Sequence, residues 1–452
     1  MIKINEHKAN YLNQESIRLF DLMKPLPNIK PGPMELPGTR GETEVIDLRD
    51  KLVDKPMRIS YTSITGESLD AIESYKNQTY GFGKEEFKQV KKFLEQIQKE
   101  REIKEFISSG FLKDKTLDWF FTKYREKEFD SNFSIWIETK LNSSIHEYRF
   151  TYPILYLDID GQFEVGNCQL HFFEKEKIDK EEQKYIIDNP EKSECNQFTI
   201  LKKDYLGRAL ISTDTKAEYA KAAEIAFKEC SLSIDTLKIF CITTHVPDYR
   251  LSFNIDSRTS ANPMCHRLNI KKPDFKNFIF TKYKTANNYL IDKKEWIEFN
   301  RKGLKVFHNF LKNRNSINSE LSKLLINAIK YYAEAVSESN LHFRITKLFT
   351  ILESLLLKNQ EVAIIESLKT YLSKIVFEKT EDRIDIMKVL SNLYNVRSAR
   401  IHHAKEIDLE IEDLRKLQAS IILLMFKITT MLKKHKTKEE MLKEIDERIL
   451  KA

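Results

Sequence analysis

The sequence predicts an α+β protein, a mixed N-terminal region with antiparallel strands followed by an all-α C-terminal helical bundle. Three observations carry that expectation. After Pro273 there is no proline and after Gly303 no glycine, so residues 304–452 lack both of the residues that break helices. Within that span apolar residues recur at steps of three and four, the period of an amphipathic helix. From residue 131 the character is different: FSIWIETKL, EYRFTYPILYLDI and QFEVGNCQLHFFE are rich in aromatic and β-branched residues with partial alternation, which predicts at least three antiparallel strands.

The elements follow in chain order. Residues 25–37 hold five of the eleven prolines (Pro25, Pro27, Pro31, Pro33 and Pro37) and predict an extended, non-helical segment. Residues 84–108 predict a helix, with Phe87, Val90, Phe93, Leu94 and Ile97 on one face. Asp160-Gly161 predicts a hairpin turn, because a tight primed turn needs positive φ. Residues 214–238 predict an Ala-rich helix packed on the sheet, capped by Thr213 or Asp214. LKIFCITTHV (237–246), RLSFNID (250–256) and NFIFTKY (277–283) predict short strands. The bundle is expected as four long helices at 318–336, 341–357, 383–402 and 407–434, with a short one at 361–377. In the helix at 383–402 the expected core stripe is Met387, Leu390, Tyr394 and Ile401. The expected organisation is an N-terminal extension (1–60), an α+β sensing or regulatory domain (61–300) and the bundle (301–452).

Composition narrows the function classes. The chain has 452 residues, 41% of them apolar, and a net charge of +7, which excludes intrinsic disorder. No run approaches the roughly 18 apolar residues of a membrane span, and SIILLMFKI at 420–428 is interrupted by Lys427. The N-terminus lacks the apolar stretch of a secretory signal, and the five scattered cysteines contain no CxxC, so reduced thiols in a cytoplasmic protein are expected. There is no G-x-x-x-x-G-K-[ST] and no G-x-G-x-x-G, which argues against a phosphate-cradling nucleotide site. Cys241, His245, Cys265 and His266 fit no standard zinc spacing, and no metal or other cofactor is expected. The basic balance permits an anionic partner, and Lys433, Lys434, Lys436 and Lys438 are candidates for touching a nucleic-acid backbone.

The segment LYNVRSARIHHAK at 393–405 is where chemistry concentrates. On an ideal wheel with Met387 at zero, Arg397 falls about 80° to one side and His402 about 60° to the other, with small Ser391 and Ser398 between them. The two are about 140° apart and do not converge on one helix. A histidine can take the proton of a ribose 2′-hydroxyl, and an arginine can hold the scissile phosphate. The 2′-oxygen then attacks phosphorus and leaves a 2′,3′-cyclic phosphate. Composition alone yields roughly one Arg–His match over four to six intervening residues, and Arg301–His308 is a second instance here. The same pair also reads as a snorkelling arginine with a histidine at a helix end.

The last ~135 residues resemble the HEPN superfamily, and within it the Apea-like HEPN domain. The resemblance rests on NAIKYYAEAVSESNLHFRITKLFTILESLLL (327–357), a spacer, LYNVRSARIHH (393–403) and a long closing helix. It implies Arg397 and His402 as the catalytic pair, from an Arg-x4-His motif, with Glu353 in the second helix as a supporting carboxylate. It further implies a metal-independent endoribonuclease working as a homodimer through the bundle, in prokaryotic anti-phage defence or as a toxin. RNA is the implied substrate, tRNA among the candidates, with a phage-derived or protein trigger acting on the N-terminal region and no membrane partner. Ser398 stands where such ribonucleases often carry Asn, Asp or His, and His403 is placed to share the base role. The other reading is a non-catalytic HEPN scaffold that dimerises or binds a partner.

Overall fold

The computed structural model describes residues 2–26, 56–59, 70–126, 129–172, 206–255, 264–267, 288–358, 364–403 and 408–451, except Asn77, Lys127, Glu128 and Asp130, with short pieces between 179 and 187. The Pro-rich segment beyond Leu26 and the expected strand at 277–283 lie outside these residues. The fold is α+β, with mainly antiparallel sheets before residue 292 and a helical C-terminal region. Contacts group the chain into two compact units, Met1–Glu147 with Lys216–Ala223, and Tyr148–Thr215 with Glu224–Ala452. Residues 61–300, expected as one domain, therefore contribute to both. No helix among the described residues is long and apolar enough to cross a membrane.

The first unit joins five helices to a four-stranded antiparallel sheet. The elements are α1 (Glu6–Phe20), β1 (Lys24–Pro25), β2 (Met57–Ile59), β3 (Ala71–Tyr75), β4 (Gln78–Phe82), α2 (Lys84–Gln98), α3 (Arg101–Phe106), α4 (Ser109–Arg125) and α5 (Phe133–Ser144). The sheet order is β1-β4-β3-β2. The helix expected at 84–108 is present but breaks between α2 and α3. Gly81 has φ +154°, and a Cβ there would collide with the Ala71 carbonyl oxygen on the neighbouring strand. Phe82, Phe93, Trp119, Phe120 and Phe133 fill the core and meet mostly edge to face.

FSIWIETKL is α5, not the expected strand. Phe133, Ile137 and Leu141, four apart, are buried, whereas Ile135 is 63% exposed. Four-residue spacing outweighs a short alternating run once one helical face has a core to cover. Asn13 also accepts a hydrogen bond from Ser134 N (2.8 Å), satisfying a donor at the new N-terminus.

The second unit contains β5 (His146–Leu155), β6 (Leu157–Ile159), β7 (Phe163–Val165), β8 (Cys168–Phe172) and β9 (Ala209–Ala217). The long helix α6 (Tyr219–Lys238) follows, then β10 (Asn254–Ile255), β11 (Met264–Arg267) and β12 (Tyr289–Ile291). The main sheet order is β10-β5-β9-β8-β7, with β11 also on β5. The hairpin turn lies between β7 and β8, at Gly166 (φ +60°), and not at Asp160-Gly161. β6 instead pairs with β12 in parallel, and Asp160 N donates to Ile291 O. A distant strand thus outcompetes the local turn.

The Ala-rich helix begins later than expected, because Thr213 and Asp214 belong to β9. Glu218 receives Ala220 N (2.9 Å) and Lys221 N (3.3 Å) in place of a Thr or Asp cap. The helix does pack on the sheet: Ser233 donates to Val165 O (3.0 Å), and Phe227 meets Tyr152 edge to face. The strand expected at 237–246 is the end of α6 followed by a 3₁₀ turn, Ile242–Thr244. Leu237, Ile239, Phe240 and Cys241 are all buried, so their apolar run carries no period to read.

The bundle comprises α7 (Lys293–Arg301), α8 (Leu304–Asn313), α9 (Glu320–Ser337), α10 (Leu341–Leu356), α11 (Ile364–Val376), α12 (Thr380–His403), α13 (Ile411–Met431) and α14 (Lys438–Lys451). No strand occurs among the described residues after Gly303, as the missing breakers predict. Ser319 and Ser322 form a capping box at α9, and Asn340 caps α10 through its side chain. Gly303 (φ +104°) lies so close to the Phe426 ring that a Cβ would come within 2.6 Å. The stripe on α12 is displaced from expectation. Its buried residues are Ile386, Val389, Leu390, Leu393, Val396 and Ala399, whereas Met387 and Tyr394 are half-buried and Ile401 is exposed. On the same wheel the buried face is turned by about 100°. Apolar residues surround this helix, so periodicity alone does not choose which side faces the core.

Candidate active site

Two bundle helices place the central pair. Glu353 lies in the last turn of α10, and Arg397 lies two turns before the end of α12. The turned stripe puts Arg397 at the inner edge of the α12 contact face. Its Nη1 lies 2.9 Å from Glu353 Oε1, and its Nη2 donates to Oε2 at 3.3 Å. This is a fork-to-fork ion pair with side chains 18% and 24% exposed. The guanidinium also stands over the rings of Phe349 (5.8 Å) and Tyr394 (5.5 Å), which meet each other edge to face. Its Nε is buried with no hydrogen-bond partner among the described residues.

The expected residues do not all gather there. His402 is exposed on the last turn of α12, on the side away from the buried stripe. Ser398 is half-buried beside Arg397, and His403 ends the helix. One copy of α12 therefore presents arginine and histidine on different faces, as the wheel indicated, with Arg397 at the core side and His402 toward solvent. Arg400 covers the exposed Phe343 ring (5.2 Å), and Ile401 is 50% exposed, so the start of α10 and the end of α12 carry apolar surface beside Arg400. The aromatic bracket was legible only as spacing: Phe349 precedes Glu353 by one turn, and Tyr394 precedes Arg397 by one turn.

The other candidates fall elsewhere. Arg301 pairs with Glu298 (2.9 Å) on exposed surface, and His308 Nδ1 lies 3.3 Å from the Glu164 carbonyl on β7, so that second Arg–His match is split between one local and one distant partner. Cys241 is buried with its sulfur on Leu237 O (3.4 Å), whereas His245 is exposed, and Cys265 and His266 lie on β11. Among the described residues no three His, Cys, Asp or Glu side chains are grouped to hold a metal. Lys434 is paired with Glu444 (2.7 Å), and Lys438 donates to Ser354 O (3.3 Å) next to Glu353.

Sequence reasoning missed Arg344, which is fully buried on α10 about two and a half turns before Glu353. Its Nη1 donates to Pro247 O and to Tyr249 O (3.2 Å), and its Nη2 to Glu338 O (2.6 Å) and Val336 O (3.5 Å). It closes the C-terminal end of α9 and anchors the 247–249 loop. The only signal was an arginine inside the apolar run LHFRITKLF. The chain matches no protein-family model, no curated protein and no solved structure.

Proposed function

We propose that the bundle is a HEPN-type endoribonuclease that cuts RNA without a metal and acts as a homodimer through its C-terminal helices. His402 takes the proton of the ribose 2′-hydroxyl, the 2′-oxygen attacks phosphorus, and the 5′-oxygen leaves. The product end is a 2′,3′-cyclic phosphate. Arg397 holds the phosphate and offsets transition-state charge, and Glu353 keeps its fork in one orientation. Glu353 uses one N–H from each terminal nitrogen, so further guanidinium donors remain for an anion. The observation that carries this reading is the half-buried Arg397 clamped by Glu353, five residues before an exposed His402 on the same helix. Because those two side chains diverge on one α12, a complete site takes arginine from one copy and histidine from its neighbour. The setting proposed is cytoplasmic, in anti-phage defence or toxin action, with the N-terminal region restraining the nuclease until a trigger arrives.

The same ion pair favours a second reading. An arginine whose fork is occupied by a carboxylate also suits a non-catalytic scaffold that dimerises or binds a partner. Incubating the purified protein with total RNA in EDTA, followed by analysis of the new ends, separates the two. Cyclic-phosphate ends that vanish in Arg397→Ala and His402→Ala support the nuclease. Uncut RNA, or cleavage that needs a divalent metal, leaves the scaffold. Light scattering tests the dimer, because activity from a species near the chain mass of 53.4 kDa at micromolar concentration would overturn the shared site.

A further inference from the structure

The molecule holds two thiols that the proposed chemistry leaves unused. Cys168 opens β8 and Cys230 lies in α6, so the pair bridges the sheet and the helix packed on it. Their sulfurs are 3.8 Å apart, in contact but not bonded. A disulfide needs about 2.05 Å, an approach that small rotations about two side chains can supply. Both side chains are buried, yet they differ in access. Cys168 lines a cavity of about 350 Å³, together with Gln169, Thr213, Lys312, Arg149 and Asp214, and Cys230 stands behind it.

We propose that Cys168 and Cys230 form a redox-modification site, a dithiol that a water-sized peroxide entering this cavity converts to a disulfide. Cys168 is the sulfur oxidised first. The hydrogen bond with Cys230 draws its thiol below the usual range against the opposing effect of burial, and the Arg314 charge acts in the same direction as Cys230. Burial and the contact with Cys168 hold Cys230 well above that range, so it waits as the protonated thiol. The Cys168 thiolate attacks one peroxide oxygen, the O–O bond breaks, and hydroxide leaves a sulfenic acid. Cys230 gives its proton to that hydroxide, attacks the Cys168 sulfur and displaces the sulfenic oxygen, which departs as water on taking a proton from solvent. The peroxide is reduced by two electrons and two thiols become one disulfide. The product staples β8 to α6 across a 62-residue separation.

The test uses the full-length protein, reduced and then freed of reductant. It is exposed to hydrogen peroxide, quenched with catalase, unfolded in iodoacetamide and digested with trypsin. The peptide 229–238 should appear joined to the peptide carrying Cys168, with both thiols lost one for one and both restored by dithiothreitol. Buried Cys241, which does not line this cavity, should keep its thiol under the same exposure. In Cys230→Ser, Cys168 should stop at the sulfenic acid and be labelled by dimedone. The wild-type peptide map decides the matter whether or not that variant folds. Recovery of both cysteines as free thiols, conversion of Cys168 to sulfinic acid with Cys230 unchanged, or a link formed only when peroxide is added in urea would each overturn the site.

Discussion

Arg344 and Arg397 leave bulk water within the same bundle, and their surroundings differ in kind. Arg344 is fully buried among neutral backbone carbonyls from the 247–249 loop and the end of α9. Burial without a carboxylate in direct contact holds its guanidinium below the usual arginine range. Arg397 keeps 18% of its side chain in solvent, faces one carboxylate and lies between two rings. An arginine distributed over carbonyls can only hold chain segments together, because every donor it gives up uncovers a buried acceptor. An arginine held by one partly exposed carboxylate keeps further donors for a phosphate. Residue type is thus no guide to role; the identity of the acceptors is.

Substitutions can break that contrast, beginning where the expected effect is largest. His402→Ala should lower RNA cleavage by about 10²–10⁴, the usual loss of a general base. Arg397→Ala should lower it by about 10²–10³. Arg397→Lys should also fail substantially, because an ammonium makes no bidentate contact. Gel assays of cleavage read these losses, while urea unfolding should shift by no more than about 1 kcal/mol in each. Equal activity in all three would remove the catalytic half of the comparison. Arg344→Met should do the reverse. Leaving the Pro247, Tyr249 and Glu338 carbonyls without this donor, while Val336 O keeps Leu251 N, should cost about 3 kcal/mol in urea unfolding, with turnover per folded molecule unchanged. A loss under about 1 kcal/mol would show that water replaces the guanidinium freely.

Smaller effects sharpen the comparison. Glu353→Gln preserves shape but removes the charge that fixes the Arg397 fork. Cleavage should fall about tenfold and stability by about 1 kcal/mol, less than for Arg397→Ala in the first measure. If Glu353→Gln is inactive to the same degree as Arg397→Ala, the carboxylate acts on substrate and not through the arginine. A separate effect, on stability alone, is a pH slope at Asp235 on α6. Burial raises its carboxyl to about 6, opposed by Lys238 and Lys330 and reinforced by Glu334. The folded chain then binds a proton that the unfolded chain releases near pH 4. This contribution favours folding below that point and is lost as pH rises through about 6. Asp235→Asn should therefore be more stable than the parent at neutral pH, with the difference closing in acid. Parallel unfolding curves at several pH values would show it, and an unchanged slope would place the carboxylate in water.

The last third of the chain was legible because its signal is local and repeated. Without glycine or proline, residues 304–452 have no cheap way to leave a helix, and several apolar faces at one period need only each other for burial. The bounds of α9, α10 and α11 fall within a few residues of the pattern for that reason. Glu353, Arg397 and His402 were also nameable as residue types at a spacing. Tertiary structure decided the rest. Which side of α12 faces inward is set by its contacts with neighbouring helices, and that choice draws Arg397 toward Glu353 and leaves His402 outside. Whether FSIWIETKL is strand or helix is set by the core beneath it, and the role of Asp160-Gly161 is set by a strand some 130 residues away. The burial of Arg344 likewise depends on carbonyls nearly a hundred residues distant. Period and breakers act through neighbours in the chain, so sequence alone determines them. Burial and pairing act through neighbours in space, which only the folded chain defines.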